Sequence, residues 1–189
     1  MAVSRRTEAA PPTMHVTLAL ALIKPERFEW AVQKATELGA DRIIPLAAAR
    51  SVIRLTAERA QQKASRWQRI AREAVKQCGR STIPAVEAPC RLEALAGRFS
   101  EWALVLMPTL AIAARPLAET LESVARTPSV LVLIGPEGDF TEEEARLAQQ
   151  HGAIPVSLGR VTLRSETAAL TTLAILQYVA GAPAAPSGI

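Results

Sequence analysis

Two short stretches in the C-terminal third of the chain, "IGPEGDF" and "LGRVTLRSETAAL", carry the residue types that could do chemistry. In the first, Gly135 and Gly138 flank Pro136 and Glu137, so backbone N–H and C=O groups can approach a ligand with no Cβ in the way. The spacing is neither the GxGxxG of a dinucleotide-binding turn nor a phosphate loop ending in Gly-Lys-Ser/Thr. Taken alone it is equally compatible with a plain turn between a strand and a helix. In the second stretch Arg164 and Glu166 stand at the entry to an apolar helix. Glu166 there favours the positive end of the helix dipole. Arg164, a permanent cation beside an apolar helix, is left over by that explanation.

The surrounding patterns say which elements must hold these corners. "HVTLALAL" (15–22) reads as a strand, followed by a helix from about Glu26 to Leu38 that Gly39 stops. "RIIPL" (42–46) reads as a short strand or an edge, because Pro45 cannot donate to a ladder. A long helix is expected from Thr56 to Cys78, with Ala60, Ala64, Trp67, Ala71, Ala74 and Cys78 forming one packing stripe. A short helix near Leu92–Gly97, a strand at 102–107, a helix over Pro116–Arg126 and a strand at 129–134 follow. Thr141 with Glu144 forms a capping box for a helix ending near His151, whose side chain suits a helix end, and Gly152 stops it. A strand at 154–158 and a last helix from Ser165 or Thr167 to Val179, apolar nearly all round and therefore buried, complete the series. Strands alternating with helices at this spacing imply an α/β fold with a mostly parallel sheet flanked by helices. In such sheets ligands bind beyond the carboxyl ends of strands, where both corners lie.

Length and composition set the bounds. With 189 residues, 49% hydrophobic and 21% charged, the chain has the composition of one globular domain. Residues 1–13 read as a loose tail, 14–181 as the domain and 182–189 as a disordered tail. Cys78 and Cys90 form no metal-type spacing and no disulfide framework, which implies a reducing, cytoplasmic compartment and no bound metal. No apolar run reaches the roughly 18 residues of a membrane span. Arg5 and Arg6 before "HVTLALALI" mimic a signal peptide, but Pro11 and Pro12 intervene and Lys24-Pro25-Glu26 stands where a cleavage site belongs. Positive charge is concentrated instead on the long helix. From Arg50 to Arg80 nine basic residues face only Glu58 and Glu73, and Arg59, Lys63, Arg66, Arg69, Arg72 and Lys76 fall off its packing stripe. Such residues can form a plain solvated face, but the excess of positive charge makes them, with Arg80, the candidate contacts to a polyanion such as an RNA backbone. Trp67 lies on the stripe and belongs to packing.

Four segments together resemble a known family. "GPEGDFTEEE" about twenty residues before "LGRVTLRSETAALTTLA" resembles the signature pair of the SPOUT superfamily, specifically the 16S ribosomal RNA (uracil-N3)-methyltransferase family, RsmE. "ERFEWAVQKATELGADRIIPLAAARSV" (26–52) resembles its K-x-x-E-L-G helix and following strand, and "REAVKQCGRSTIPAV" (72–86) its E-A-x-x-Q-x-x-R-x-x-x-P segment. The match runs over about residues 15–180 in the same order. Where the family pattern reads L-G-x-R-I-L-R-x-E-T-A, this sequence has Val161 and Thr162, with Arg160 one position early. Members generally carry a small PUA-like RNA-binding domain ahead of the catalytic one, and only the short tail stands in its place here.

The resemblance implies a SPOUT-type sheet whose C-terminal part forms a deep trefoil knot, paired as a homodimer. It implies S-adenosylmethionine held in a bent form by three loops. Their residues here are Met107, Pro108 and Thr109; Leu133, Ile134, Gly135, Pro136, Glu137 and Gly138; and Leu158, Gly159, Leu163, Thr167 and Ala168. It implies methylation of N3 of a uridine in 16S ribosomal RNA, in the assembled small subunit, with Arg164 stabilising the uracil anion and Glu166 orienting Arg164 or holding the loop. A non-catalytic RNA- or ribosome-binding module on the same fold is the competing reading, and the two part on cofactor binding. A nucleotide- or phosphate-binding α/β enzyme is disfavoured by the lack of a Gly-Lys loop.

Overall fold

In the computed structural model, residues 14–51, 57–110, 114–120, 124 and 127–181 are described. Eight strands form one sheet: β1 His15–Ala21, β2 Arg42–Ala47, β3 Ala85–Val86, β4 Cys90–Arg91, β5 Leu104–Pro108, β6 Arg115–Pro116, β7 Ser129–Ile134 and β8 Ile154–Ser157. The order is β3-β2-β1-β7-β5-β8-β6, with β4 also on β2, and every pairing is parallel. Five helices are described: α1 Pro25–Glu37, α2 Ala57–Cys78, α3 Leu92–Ala96, α4 Glu142–Gln150 and α5 Ser165–Val179.

Strand alternation sends successive side chains to two cores, one on each face of the sheet. Leu18, Leu20, Val130, Val132, Ile134 and Leu106 pack with Phe28, Trp67 and Leu173 of α1, α2 and α5. Ala19, Ala21, Leu131, Leu133, Val105 and Met107 pack with Leu95, Ala145 and Ala148 of α3 and α4. The expected helix-covered parallel sheet is therefore a three-layer sandwich. No helix among the described residues is long and apolar enough to cross a membrane.

Several elements differ from the sequence reading, each for a local reason. Pro45 lies in an interior strand. The Ile43 carbonyl accepts from Glu87 N–H on the β3 side, and the Leu46 carbonyl from Leu22 N–H on the β1 side. Alternation thus turns the Pro45 nitrogen away from β1. On that side β3 covers Arg42–Ile43 and β4 covers Leu46–Ala47, so the proline falls in the interval between two short partners. On α2, Cys78 is exposed, and the stripe closes through Val75 instead. α5 buries Ala169, Thr172, Leu173 and Leu176, but leaves Thr167, Ala174 and Tyr178 outward. Arg115–Pro116 is a short strand and Leu117–Thr120 a single 3-10 turn, while most of the rest of the helix expected to Arg126 lies outside the described residues. The two tails and the expected helix start at Thr56 lie outside them as well.

Candidate functional site

The carboxyl ends of β5, β7 and β8 are adjacent in the sheet, and the loops leaving them enclose a cleft of about 540 Å3, its mouth included. Pro108 and Thr109 come from β5, Ile134 to Glu137 from β7, and Leu158, Gly159 and Leu163 from the loop after β8, with Ala168 on the first turns of α5. Leu110, Asp139, Val161, Thr162 and Ser165 also line the cleft.

Two tethers build the β7 corner. Asp139, at a φ of 58°, accepts from Thr109 Oγ1 at 2.7 Å and Leu110 N–H at 2.8 Å through Oδ2, tying the corner to the end of β5. A Cβ on Gly135 would lie 3.0 Å from Asp139 Oδ1 and 3.1 Å from Phe140 N, tighter than ordinary contact, so the turn itself favours glycine there. On the other side Glu144 completes the expected capping box with Thr141, and its second role was not legible. Its buried carboxylate also accepts from Ala49 N–H at 2.7 Å, and the Arg50 guanidinium donates to the Gly138 carbonyl. The loop after β2 is thereby latched onto this corner.

Four of the residues expected around the cleft do not line it. Met107 and Leu133 are fully buried in the α3/α4 core, because alternation turns them away from the face that Pro108 and Ile134 share with α5. Gly138 faces Arg50 rather than the cleft. Thr167 is exposed, a helical step away from the face carrying Ser165 and Ala168.

Arg164 occupies the N-cap position of α5, exposed between two cleft-lining residues, and makes no ion pair among the described residues. Glu166 is buried and lies 3.7 Å from Arg27 Nε, a residue missed by the sequence reading; Arg27 Nη1 lies 3.7 Å from Glu137. Arg27 follows the carboxyl end of β1, and only the β1–β7 pairing brings that end to the cleft. Nothing in the linear pattern signals that pairing.

On α2, Arg59, Arg66, Arg69, Arg72 and Lys76 are exposed and Lys63 half-buried. Arg66 is held bidentately by Glu29 at 2.6 and 2.7 Å, which raises its guanidinium above the ordinary range, and Lys76 pairs with Glu73. Arg80 is a correction: it points inward, donating to the Thr36 and Ala40 carbonyls at 2.8 Å and pairing with Asp41, and so caps the end of α1. Trp67 packs against Phe28 with ring centroids 4.5 Å apart. His151 caps the end of α4, its Nδ1 2.9 Å from the Leu147 carbonyl. Both cysteines are free thiols. Among the described residues no three His, Cys, Asp or Glu side chains converge as a metal site.

A family model described as an RNA methyltransferase domain matches residues 10–177, nearly the whole chain. The chain belongs to this RNA methyltransferase family. Among family members, ribosomal RNA small subunit methyltransferase E of Bacillus subtilis is 35% identical over 168 residues, covering 86% of this chain and 65% of that protein. The Synechocystis protein of the same name is 36% identical, covering 91% of this chain and 55% of its own length. The chain thus spans somewhat less than two thirds of such relatives. A crystal structure of ribosomal RNA small subunit methyltransferase E from Neisseria gonorrhoeae bound to S-adenosyl methionine superposes with a TM-score of 0.78 at 32% identity, over 88% of this chain and 67% of that one.

Proposed function

We propose that the chain is the catalytic part of an S-adenosylmethionine-dependent methyltransferase acting on N3 of a uridine in 16S ribosomal RNA. The observation that carries the reading is the cleft, built from both signature segments at three neighbouring strand ends. Its lining suits the cofactor: largely apolar side chains and backbone, little Cβ bulk at Gly135 and Gly159, and the Glu137 carboxylate for a cationic ligand. Family membership and the cofactor-bound Neisseria relative support the same assignment.

When bound, the cofactor supplies an electrophilic methyl group on a sulfonium. The chain's residues do the rest. Uridine N3 must lose its proton, and the resulting anion spreads over O2 and O4. Arg164, exposed at the rim and unpaired among the described residues, offers the fixed cation such an anion needs. A base or water removes the proton. Glu166 pairs with Arg27 rather than Arg164, so its role is to hold the loop.

The same reading includes a homodimer, a knotted C-terminal segment, cytoplasmic location and the assembled small subunit as substrate. The outward Tyr178 of α5, 87% exposed, supports the dimer. The exposed cations of α2, Arg59, Arg69 and Arg72 among them, form the surface for RNA phosphates. Calorimetric titration with S-adenosylmethionine and ATP, followed by mass spectrometry of ribosomal RNA and small subunits incubated with labelled cofactor, tests it. Selective binding and label on uridine N3 are expected. Label on another base, or binding without label, would favour the non-catalytic RNA-binding module.

A further inference from the structure

Arg27, in the first turn of α1, lies in ion-pair range of a carboxylate on each side of the cleft. Its Nη1 lies 3.7 Å from Glu137 Oε1 and its Nε 3.7 Å from Glu166 Oε1. Glu137 lines the cleft, and Glu166 sits between Ser165 and Ala168, which line it from the other side. The Glu166 side chain is only 10% exposed, and its Oε2 is buried without a hydrogen-bond partner among the described residues. Burying a carboxylate in this way is costly unless positive charge stands beside it. The N-terminal dipole of α5 contributes part, and among the described residues Arg27 is the one side-chain cation in ion-pair range. A guanidinium presents donors on separate edges, so it can face two carboxylates at once where an ammonium acts as a point charge.

We infer that Arg27 is a positioning residue that staples the Glu137 corner to the Glu166 corner and so fixes the width of the cofactor cleft. The inference rests on the reading of the cleft as an S-adenosylmethionine site. With the staple in place, the ligand meets walls already set apart by the right distance, and binding does not have to order them. Without it, Glu166 is a buried, uncompensated charge and the two loops are free to separate.

The test is calorimetry with S-adenosylmethionine on wild type, Arg27→Gln, Arg27→Lys, Glu137→Gln and the Arg27→Gln/Glu137→Gln double variant. Arg27→Gln should weaken binding about tenfold, about 1.4 kcal/mol. Arg27→Lys, which keeps the charge and loses the fork, should fall between. In the Glu137→Gln background, Arg27→Gln should cost no more than about twofold, because coupled residues are not additive. In turnover assays KM for the cofactor should rise more than kcat falls, a split that simple loss of folded protein does not produce. Affinity of Arg27→Gln within about twofold of wild type, or effects of Arg27 and Glu137 that multiply, would overturn the inference. If Arg27→Gln does not fold, Arg27→Lys replaces it in the same cycle. Failure of wild type to bind the cofactor sinks the functional reading instead. The staple is then judged from melting temperatures of Arg27→Gln, Glu166→Gln and their double variant: coupled losses support it and additive losses overturn it.

Discussion

At the scale of single residues, the glycines of the β7 corner separate by what their missing side chains would meet. On Gly135 a Cβ would press on Asp139 Oδ1 and the Phe140 N–H that donates to it, in a carboxylate whose other oxygen ties Thr109 and Leu110. Gly135→Ala should therefore destabilise the fold by about 1–3 kcal/mol and weaken cofactor binding, measured by denaturant titration and calorimetry. On Gly138 a Cβ would meet only Arg50 Cδ, at 3.3 Å, the flexible part of a side chain. Gly138→Val should accordingly leave cofactor affinity within a few-fold of wild type, and strong loss would put that residue back in the site. Arg164 makes the opposite kind of prediction. Its cation lies at the rim, so Arg164→Ala should lower the methylation rate about 100-fold or more while cofactor affinity stays close to wild type. Equal losses in rate and affinity would make Arg164 a binding residue.

At the scale of elements, α2 divides into cations held by carboxylates and cations turned to solvent. Reversing Arg66 would set a carboxylate beside Glu29 and disturb the α1–α2 packing, confusing folding with binding. Lys63, Arg69 and Arg72 test the RNA surface more cleanly: changing them to Gln should weaken RNA binding and reduce the salt slope by roughly 0.7–0.9 for each phosphate left unneutralised. An unchanged slope would return α2 to the role of a solvated face. These elements also show what the linear pattern can carry. β1, α1, α2, β7, α4 and its capping box, β8 and α5 were legible because each is specified by its own periodicity, cap and stop, as with Thr141, Glu144 and Gly152. Ten cleft residues followed from the two motif segments and the end of β5, because those are local loops at strand ends. Met107 and Leu133 do not line the cleft because contiguous motif residues alternate between two faces. Arg27, Arg80 and the second bond of Glu144 were invisible for another reason. Each acts on a segment far away in the chain, and partners of that kind are set by the strand order.

At the scale of the whole molecule, the outward side of α5 leaves Tyr178 87% exposed, and Trp30 on the neighbouring α1 is 46% exposed. Apolar surface of this kind on adjacent helices suits a second copy of the chain. Light scattering should give a dimer, and Tyr178→Glu should shift it toward monomer. A monomer at high concentration for the wild type would defeat the dimer. The sheet order has a consequence in time as well as in space. An interior strand, β1, pairs on one side with β7, and His15 lies opposite Ser129, 114 positions later. Closing so long a loop is entropically costly, and parallel pairings of distant segments form slowly. At a synthesis rate of about 5–20 residues per second, the nascent chain waits roughly 6–23 s between making β1 and making its neighbour. Through that interval one edge of a strand that ends up buried on both faces, with Val16, Leu18 and Leu20 on one of them, stands open to other chains. The step most exposed to aggregation is thus an early one on the ribosome, long before the cleft exists.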